Sequence, residues 1–112
     1  MDDDPDIRTM LKIMLEYKQY NVFLSENENK ARKILAENKI DLIMMDMLLS
    51  GADGTDICRR FKNENKLSAI PILMFSAHPS AEERSLQAGA DGFIEKPFEM
   101  NEMFRKIQNL LN

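Results

Sequence analysis

At 112 residues the chain is long enough to bury about two-thirds of the surface its unfolded form exposes, so it is expected to fold as one domain without staples. Charged residues make up 30% and hydrophobic ones 44%, an ordinary soluble balance, and a net charge of -4 excludes the basic excess that a nucleic-acid-binding surface needs. The single Cys58 excludes an intramolecular disulfide, and no apolar run reaches the ~18 residues of a membrane span or follows a basic leader, so a reducing cytoplasm is the expected home.

The chain opens with Met1 and then Asp2-Asp3-Asp4-Pro5-Asp6. Pro5 suits a first helical turn, where a missing N–H costs nothing, and Asp4 or Asp6 favours the positive end of the helix. Ile7, Met10, Leu11 and Met14 follow at helical spacing and predict a buried stripe, with the helix ending near Tyr17 to Tyr20. After Asn21, Val22-Phe23-Leu24 reads as a short strand. Asn27 to Asn38 reads as a second helix with Ala31, Ile34 and Leu35 inward.

Asp41-Leu42-Ile43-Met44-Met45-Asp46 is the stretch around which the chain is organised. Consecutive apolar residues bracketed by carboxylates do not alternate as a half-solvated strand would. They predict a strand covered on both faces, as in a parallel sheet between helices. Ser50-Gly51-Ala52-Asp53-Gly54 is loop chemistry, and Thr55 to Asn65 returns to helical spacing with Ile57, Cys58 and Phe61 facing in. Cys58 is then a small core residue rather than a nucleophile or a metal ligand.

Ile70-Pro71-Ile72-Leu73-Met74-Phe75 is a second continuous apolar run, ending at Ser76. Ala77-His78-Pro79 turns the chain, and Ser80-Ala81-Glu82-Glu83 reads as a capping box opening a helix to about Ala88, with a thin apolar face of Ala81, Leu86 and Ala88. Gly89 to Gly92 leads into a last strand, Phe93-Ile94-Glu95, closed by Lys96-Pro97. The final helix, Glu99 to Leu111, carries Met100, Met103, Phe104, Ile107 and Leu111 on one side. Alternating helices and strands with short links predict an α/β doubly wound parallel sheet with helices on both faces.

In such sheets the ligand crevice lies at the carboxyl ends of the strands, which here bring Asp46, Ser76 and Lys96 to one edge. Clustered carboxylates repel unless a divalent cation neutralises them; Mg²⁺ takes one or two, keeps waters and accepts phosphate oxygens. Lys96 offers a point charge for a phosphoryl group and Ser76 a hydroxyl. A carboxylate attacking a phosphoryl group makes an acyl phosphate, with the lysine and the metal dispersing the charge that builds.

Several marks stand in a common order across essentially the whole chain. They are Asp2-Asp3 continuing into Asp4-Pro5-Asp6-Ile7-Arg8, Asp46 after an apolar strand, Asp53-Gly54, Ser76-Ala77, Ala88-Gly89-Ala90-Asp91-Gly92, and Glu95-Lys96-Pro97-Phe98. Together they resemble the receiver domains of two-component response regulators. The resemblance implies a flavodoxin-like, CheY-like fold and a phosphoprotein of the two-component or phosphorelay type. Asp46 resembles the phosphoacceptor, Ser76 the hydroxyl that swings to the phosphoryl oxygens, Lys96 its ion-pair partner, and Phe93 the aromatic switch that turns inward on activation. For Mg²⁺ the resemblance implies Asp3 as main ligand, with Asp46, the backbone carbonyl of Leu48, and Asp2 behind or through a water. It also implies a cis Lys96-Pro97 bond, and sets Leu48 and His78 beside the phosphoryl group, where an apolar Leu48 would shield the acyl phosphate from water.

The implied partners are a sensor histidine kinase or a histidine phosphotransfer protein on one side and an output domain or target protein on the other. Neither nucleic acid nor membrane is contacted directly, and a strand-exchanged or face-to-face dimer is compatible with the fold. The implied chemistry is self-phosphorylation and autodephosphorylation with Mg²⁺, not turnover of an external substrate. Two features depart from the family pattern. The hydrophobic strand that should precede the acidic pair is missing, so residues 1–112 read as a single receiver domain truncated at its N-terminus and lacking its first central strand; Ser50 stands where the family has proline. The rival readings are a pseudo-receiver that binds partners without phosphotransfer and, suggested by Asp53-Gly54-Thr55, a haloacid-dehalogenase-type phosphatase. The latter lacks its aspartate, since Gly51 stands there.

Overall fold

The computed structural model describes residues 1–49, 52–78 and 80–111, so the readings placed on Ser50, Gly51 and Pro79 lie outside the described residues. The chain divides into two compact units, Met1–Lys39 and Ile40–Asn112.

The first unit carries two helices, α1 (Pro5–Tyr17) and α2 (Glu28–Glu37). Asp4 caps α1 by accepting from the N–H groups of Asp6 and Ile7, with Pro5 at the first helical position, as the sequence predicts. Asn27 caps α2 by accepting from Lys30 N at 2.9 Å. The expected stripe on α1 is narrower than its spacing: Leu11 is buried and Ile7 and Met14 are half-buried, but Met10 is 43% exposed. Spacing identifies a face of the helix, whereas burial depends on how much of that face a neighbour covers.

Val22–Leu24 is not a strand, which corrects the sequence reading. β-favouring residues form a strand only beside another to pair with, and among the described residues no strand precedes α1 or lies within this unit. One backbone bond, Asp2 N to Ser25 O at 3.0 Å, joins the acidic opening to the end of this segment.

The second unit contains a parallel sheet of three strands in the order β1 (Ile43–Asp46), β4 (Ile72–Ser76), β5 (Gly92–Glu95). β1 runs in register with β4 from Ile43↔Ile72 to Asp46↔Phe75, and β4 with β5 from Leu73↔Gly92 to Ser76↔Glu95. β1 is buried at all four positions and β4 at all five, as expected of strands with both faces covered. Pro71 stays just ahead of β4, and its carbonyl, which needs no N–H, accepts from Ile43 N at 2.9 Å.

The segment read as a loop after Asp46 contains a small antiparallel ladder, β2 (Leu48–Leu49) with β3 (Ala52–Asp53), in the register Leu48↔Asp53 and Leu49↔Ala52. Helix α3 (Gly54–Lys62) follows, capped by Asp53. Its Ile57, Cys58 and Phe61 are fully buried, as the spacing predicts, and Phe61 alone contributes about 2–3 kcal/mol of apolar burial. At the entry to β4, Lys62 Nζ bonds Ile70 O at 2.8 Å and Asp91 Oδ2 at 2.6 Å, while Asp91 Oδ2 also accepts from Ile72 N at 2.8 Å. This knot ties the end of α3 to the starts of β4 and β5.

Helix α4 (Ala81–Gln87) does not form the predicted capping box: Ser80 makes no side-chain cap bond, and its hydroxyl turns to His78 Nδ1 at 2.9 Å instead. A hydroxyl beside an imidazole acceptor has a competing partner, and here that partner wins. Leu86 is 51% exposed, contrary to expectation, and the buried positions are Ala81, Ser85 and Ala88. Gly89 turns the chain with φ +97, a conformation that favours glycine. Helix α5 (Met100–Leu111) buries Met103 and Ile107, half-buries Phe104, and leaves Met100 and Leu111 exposed where the sequence placed them inward. Its Lys106 Nζ donates to the Phe93 carbonyl, occupying a polar group on the outer edge of β5.

Candidate functional site

Every strand of the sheet ends in a polar residue at the same edge. Asp46 is the last residue of β1, Ser76 the last of β4, and Lys96 follows β5 directly. They line one open cleft of about 410 Å³ together with Leu48, Ala77 and His78. The strand registers, set by buried apolar runs, are what bring these three side chains level.

Asp46 is 8% exposed and both its oxygens are engaged. Oδ2 receives Lys96 Nζ at 3.2 Å, and Oδ1 accepts from Leu48 N at 3.2 Å. A carboxylate held this way is aimed, because each oxygen faces a donor. Lys96 is positioned in turn. Its N–H donates to Ser76 O at 2.9 Å, its ammonium lies 4.7 Å above the Phe75 ring centroid, and the bond to Pro97 is cis, as the resemblance implies. Phe98, just beyond, meets the Phe75 ring edge-on with centroids 6.1 Å apart.

Ser76 Oγ accepts from His78 N at 3.1 Å, so its own O–H is a donor still to be directed. His78 Nδ1 accepts from Ser80 N at 3.2 Å. Leu48 stands at the cleft with 61% of its surface exposed.

Gly54 approaches the backbone beneath Asp46 more closely than any other residue type allows. Its N–H donates to Met47 O at 2.7 Å, and a β-carbon there would lie 2.3 Å from Asp46 O. Asp53 beside it caps α3 through Thr55 N at 2.8 Å and Thr55 Oγ at 2.7 Å, and receives Arg84 Nη2 at 2.9 Å on its other oxygen. Burial raises the Asp53 pKa, but the Thr55 bonds and the Arg84 charge together outweigh it and hold the carboxyl below its ordinary value. Burial pushes the Cys58 thiol up to about 11, against the opposing pull of Lys62, consistent with an inert core residue.

Of the residues singled out in the sequence, Asp46, Leu48, Ser76 and Lys96 share the cleft. Phe93 lies in β5, 7% exposed, with its ring inside rather than outside. Asp2 and Asp3 belong to the first unit, where Asp2 is buried and its Oδ1 accepts from Asp4 N at 2.8 Å. Among the described residues no three His, Cys, Asp or Glu side chains are grouped to hold a metal. Mg²⁺ asks for less, being held by one or two carboxylates with waters and substrate oxygens. Asp46, a carboxylate facing an open cleft, fits that hard, oxygen-seeking ion. The Arg84–Asp53 pair and the His78–Ser80 bonds were not legible in sequence, although Asp53-Gly54 was a visible signal for the close approach under Asp46.

Known proteins place this geometry. Residues 1–108 match the response regulator receiver domain family. The chain is 33% identical to the phosphate regulon transcriptional regulatory protein PhoB of Pseudomonas aeruginosa, over 99% of this chain and 49% of that protein. It thus spans about half the length of the curated relatives it matches. A crystal structure of a response regulator from Chloroflexus aurantiacus superposes with a TM-score of 0.93 at 31% identity, covering 99% of this chain and 93% of that one. The receiver domain of the sensor histidine kinase PA1611 from Pseudomonas aeruginosa, described with a magnesium ion in its active-site cleft, superposes with a TM-score of 0.88 at 27% identity, covering 99% and 93%. The flavodoxin-like α/β fold read from the sequence is therefore the observed one, and the chain belongs to the response regulator receiver domain family of two-component signal transduction.

Proposed function

We propose that residues 1–112 act as one phosphoacceptor receiver domain, with Asp46 as the residue that takes the phosphoryl group. The observation that carries this reading is the pairing of Lys96 Nζ with Asp46 Oδ2 at 3.2 Å in a cleft that also holds Ser76. The donor is a phosphohistidine on a sensor kinase or a histidine phosphotransfer protein. The Asp46 carboxylate attacks phosphorus, an O–P bond forms as the N–P bond breaks, and the departing imidazole leaves with the bonding electrons. An acyl phosphate remains on Asp46.

Lys96 is placed to follow the new charge from the carboxylate to a phosphoryl oxygen, and the Ser76 O–H to donate to another. Within the second unit, Asp46 and the Leu48 carbonyl are the groups that would hold Mg²⁺. When bound, the ion neutralises charge on the transferring oxygens. Water later hydrolyses the acyl phosphate, so the domain modifies only itself. The signal leaves through α4, β5 and α5, with Phe93 as the inward aromatic, to an output domain or target protein.

Incubation with acetyl phosphate, with and without Mg²⁺, followed by intact mass measurement tests this. A labile, Mg²⁺-dependent phosphate adduct that disappears in Asp46→Ala is expected. No adduct in the parent chain would leave the pseudo-receiver, a partner-binding module of the same fold, as the better reading.

A further inference from the structure

The cleft is tied to α4 by a chain of contacts that involves neither Ser76 nor Lys96. Arg84 on α4 donates to Asp53 Oδ2 at 2.9 Å, while Asp53 Oδ1 is already committed to Thr55 at the start of α3. Asp53 is the register partner of Leu48 in the β2–β3 ladder. Leu48 lines the cleft, and its N–H donates to Asp46 Oδ1 at 3.2 Å. The path is therefore Arg84, Asp53, Leu48, Asp46. β2 and β3 have only two residues each, so the ladder that pairs Leu48 with Asp53 is short.

The tie is adjustable. Arg84 and Asp53 side chains are 46% and 33% exposed, so their attraction is modest and weakened by salt. A contact of that strength does not decide whether the domain folds, but it biases the position of a short ladder.

We propose that Arg84 is a positioning residue for the phosphoryl site: through Asp53 it holds Leu48 at the cleft mouth and thereby slows the loss of phosphate from Asp46. This rests on the phosphoacceptor reading above. A partner that draws Arg84 away from Asp53 would then shorten the life of the acyl phosphate.

The test loads the full chain with acetyl phosphate and Mg²⁺, removes the donor, and follows loss of the adduct by intact mass. Arg84→Ala should lose phosphate about two- to five-fold faster than the parent, the equivalent of one exposed ion pair. Asp53→Asn keeps an oxygen for Thr55 but loses the charge, and should match Arg84→Ala. The double variant should be no faster than either single, and Arg84→Lys should return toward the parent rate. Raising ionic strength should speed the parent toward the Arg84→Ala rate while leaving that variant unchanged. An unchanged lifetime in Arg84→Ala, even with a lowered melting temperature, overturns this inference alone, as do additive effects in the double variant. Absence of any adduct in the parent overturns the phosphoacceptor reading and this inference with it.

Discussion

A β-carbon on Gly54 would lie 2.3 Å from the main-chain oxygen of Asp46, closer than real β-carbons come to any atom. The start of α3 is thus pressed against the backbone that carries the phosphoacceptor candidate, with Gly54 N bonded to Met47 O at 2.7 Å. Gly54→Ala must push the two apart. Overpacking of this kind costs about 1–3 kcal/mol, read as a lower urea midpoint at unchanged slope. Because the displaced atoms belong to Asp46, acetyl phosphate uptake should fall as well. Full stability in Gly54→Ala would contradict the close approach.

Lys96 forms an ion pair with Asp46, Nζ to Oδ2 at 3.2 Å. Lys96→Met keeps most of its packing over Phe75 and removes the charge. Removal of a donor aimed at developing negative charge typically costs about 10²-fold in rate, and that loss is expected in phosphorylation of Asp46 by acetyl phosphate. A rate within a few-fold of the parent would mean that the 3.2 Å pair serves only to anchor the strand end.

Ser85 is fully buried on α4, and among the described residues its hydroxyl has no hydrogen-bond partner. Burying an unsatisfied hydroxyl is unfavourable, and alanine is also the better helix former. Ser85→Ala should raise stability by about 1 kcal/mol, measured by denaturant titration. A loss of stability would show that the hydroxyl has a partner after all.

Cys58 supplies a pH dependence at the alkaline end. Its thiol titrates near 9.0 when unfolded and about 11 when folded, so the unfolded chain releases its proton first as pH rises. The contribution is fully present below pH 9.0 and is lost progressively toward 11. The parent should therefore lose stability more steeply across that window than Cys58→Ala. Parallel profiles would sink the assignment.

Leu48 cannot hydrogen-bond a water, and it lines the cleft beside Asp46. Leu48→Asn offers a water two polar contacts there, and the acyl phosphate should be lost several-fold faster, as judged by intact mass. An adduct no shorter-lived than the parent's would remove the shielding role.

The parts legible in sequence were those set by neighbours along the chain. Asp4 with Pro5 announced the start of α1, and Asn27 that of α2, because a cap bonds an N–H two or three residues away. Unbroken apolar runs at Ile43–Met45 and Ile72–Phe75 announced doubly covered strands, and hence the polar residues at their ends. Local reading failed where the local group had two choices. Ser80 could cap α4 or bond His78, and bonds His78. Val22–Leu24 has strand-forming residues but no assigned strand, since β propensity is expressed only against a partner.

By itself, then, the sequence determined the α/β alternation, the buried strands and the candidacy of Asp46, Ser76 and Lys96, because hydrophobic spacing and residue chemistry are properties of short stretches. Tertiary structure alone decided that Lys96 meets Asp46 across fifty positions, that Arg84 meets Asp53 across thirty-one, and that Gly54 sits under the Asp46 carbonyl. Those relationships depend on strand register and helix placement. Both are set by the packing of the whole core, which no single stretch of chain encodes.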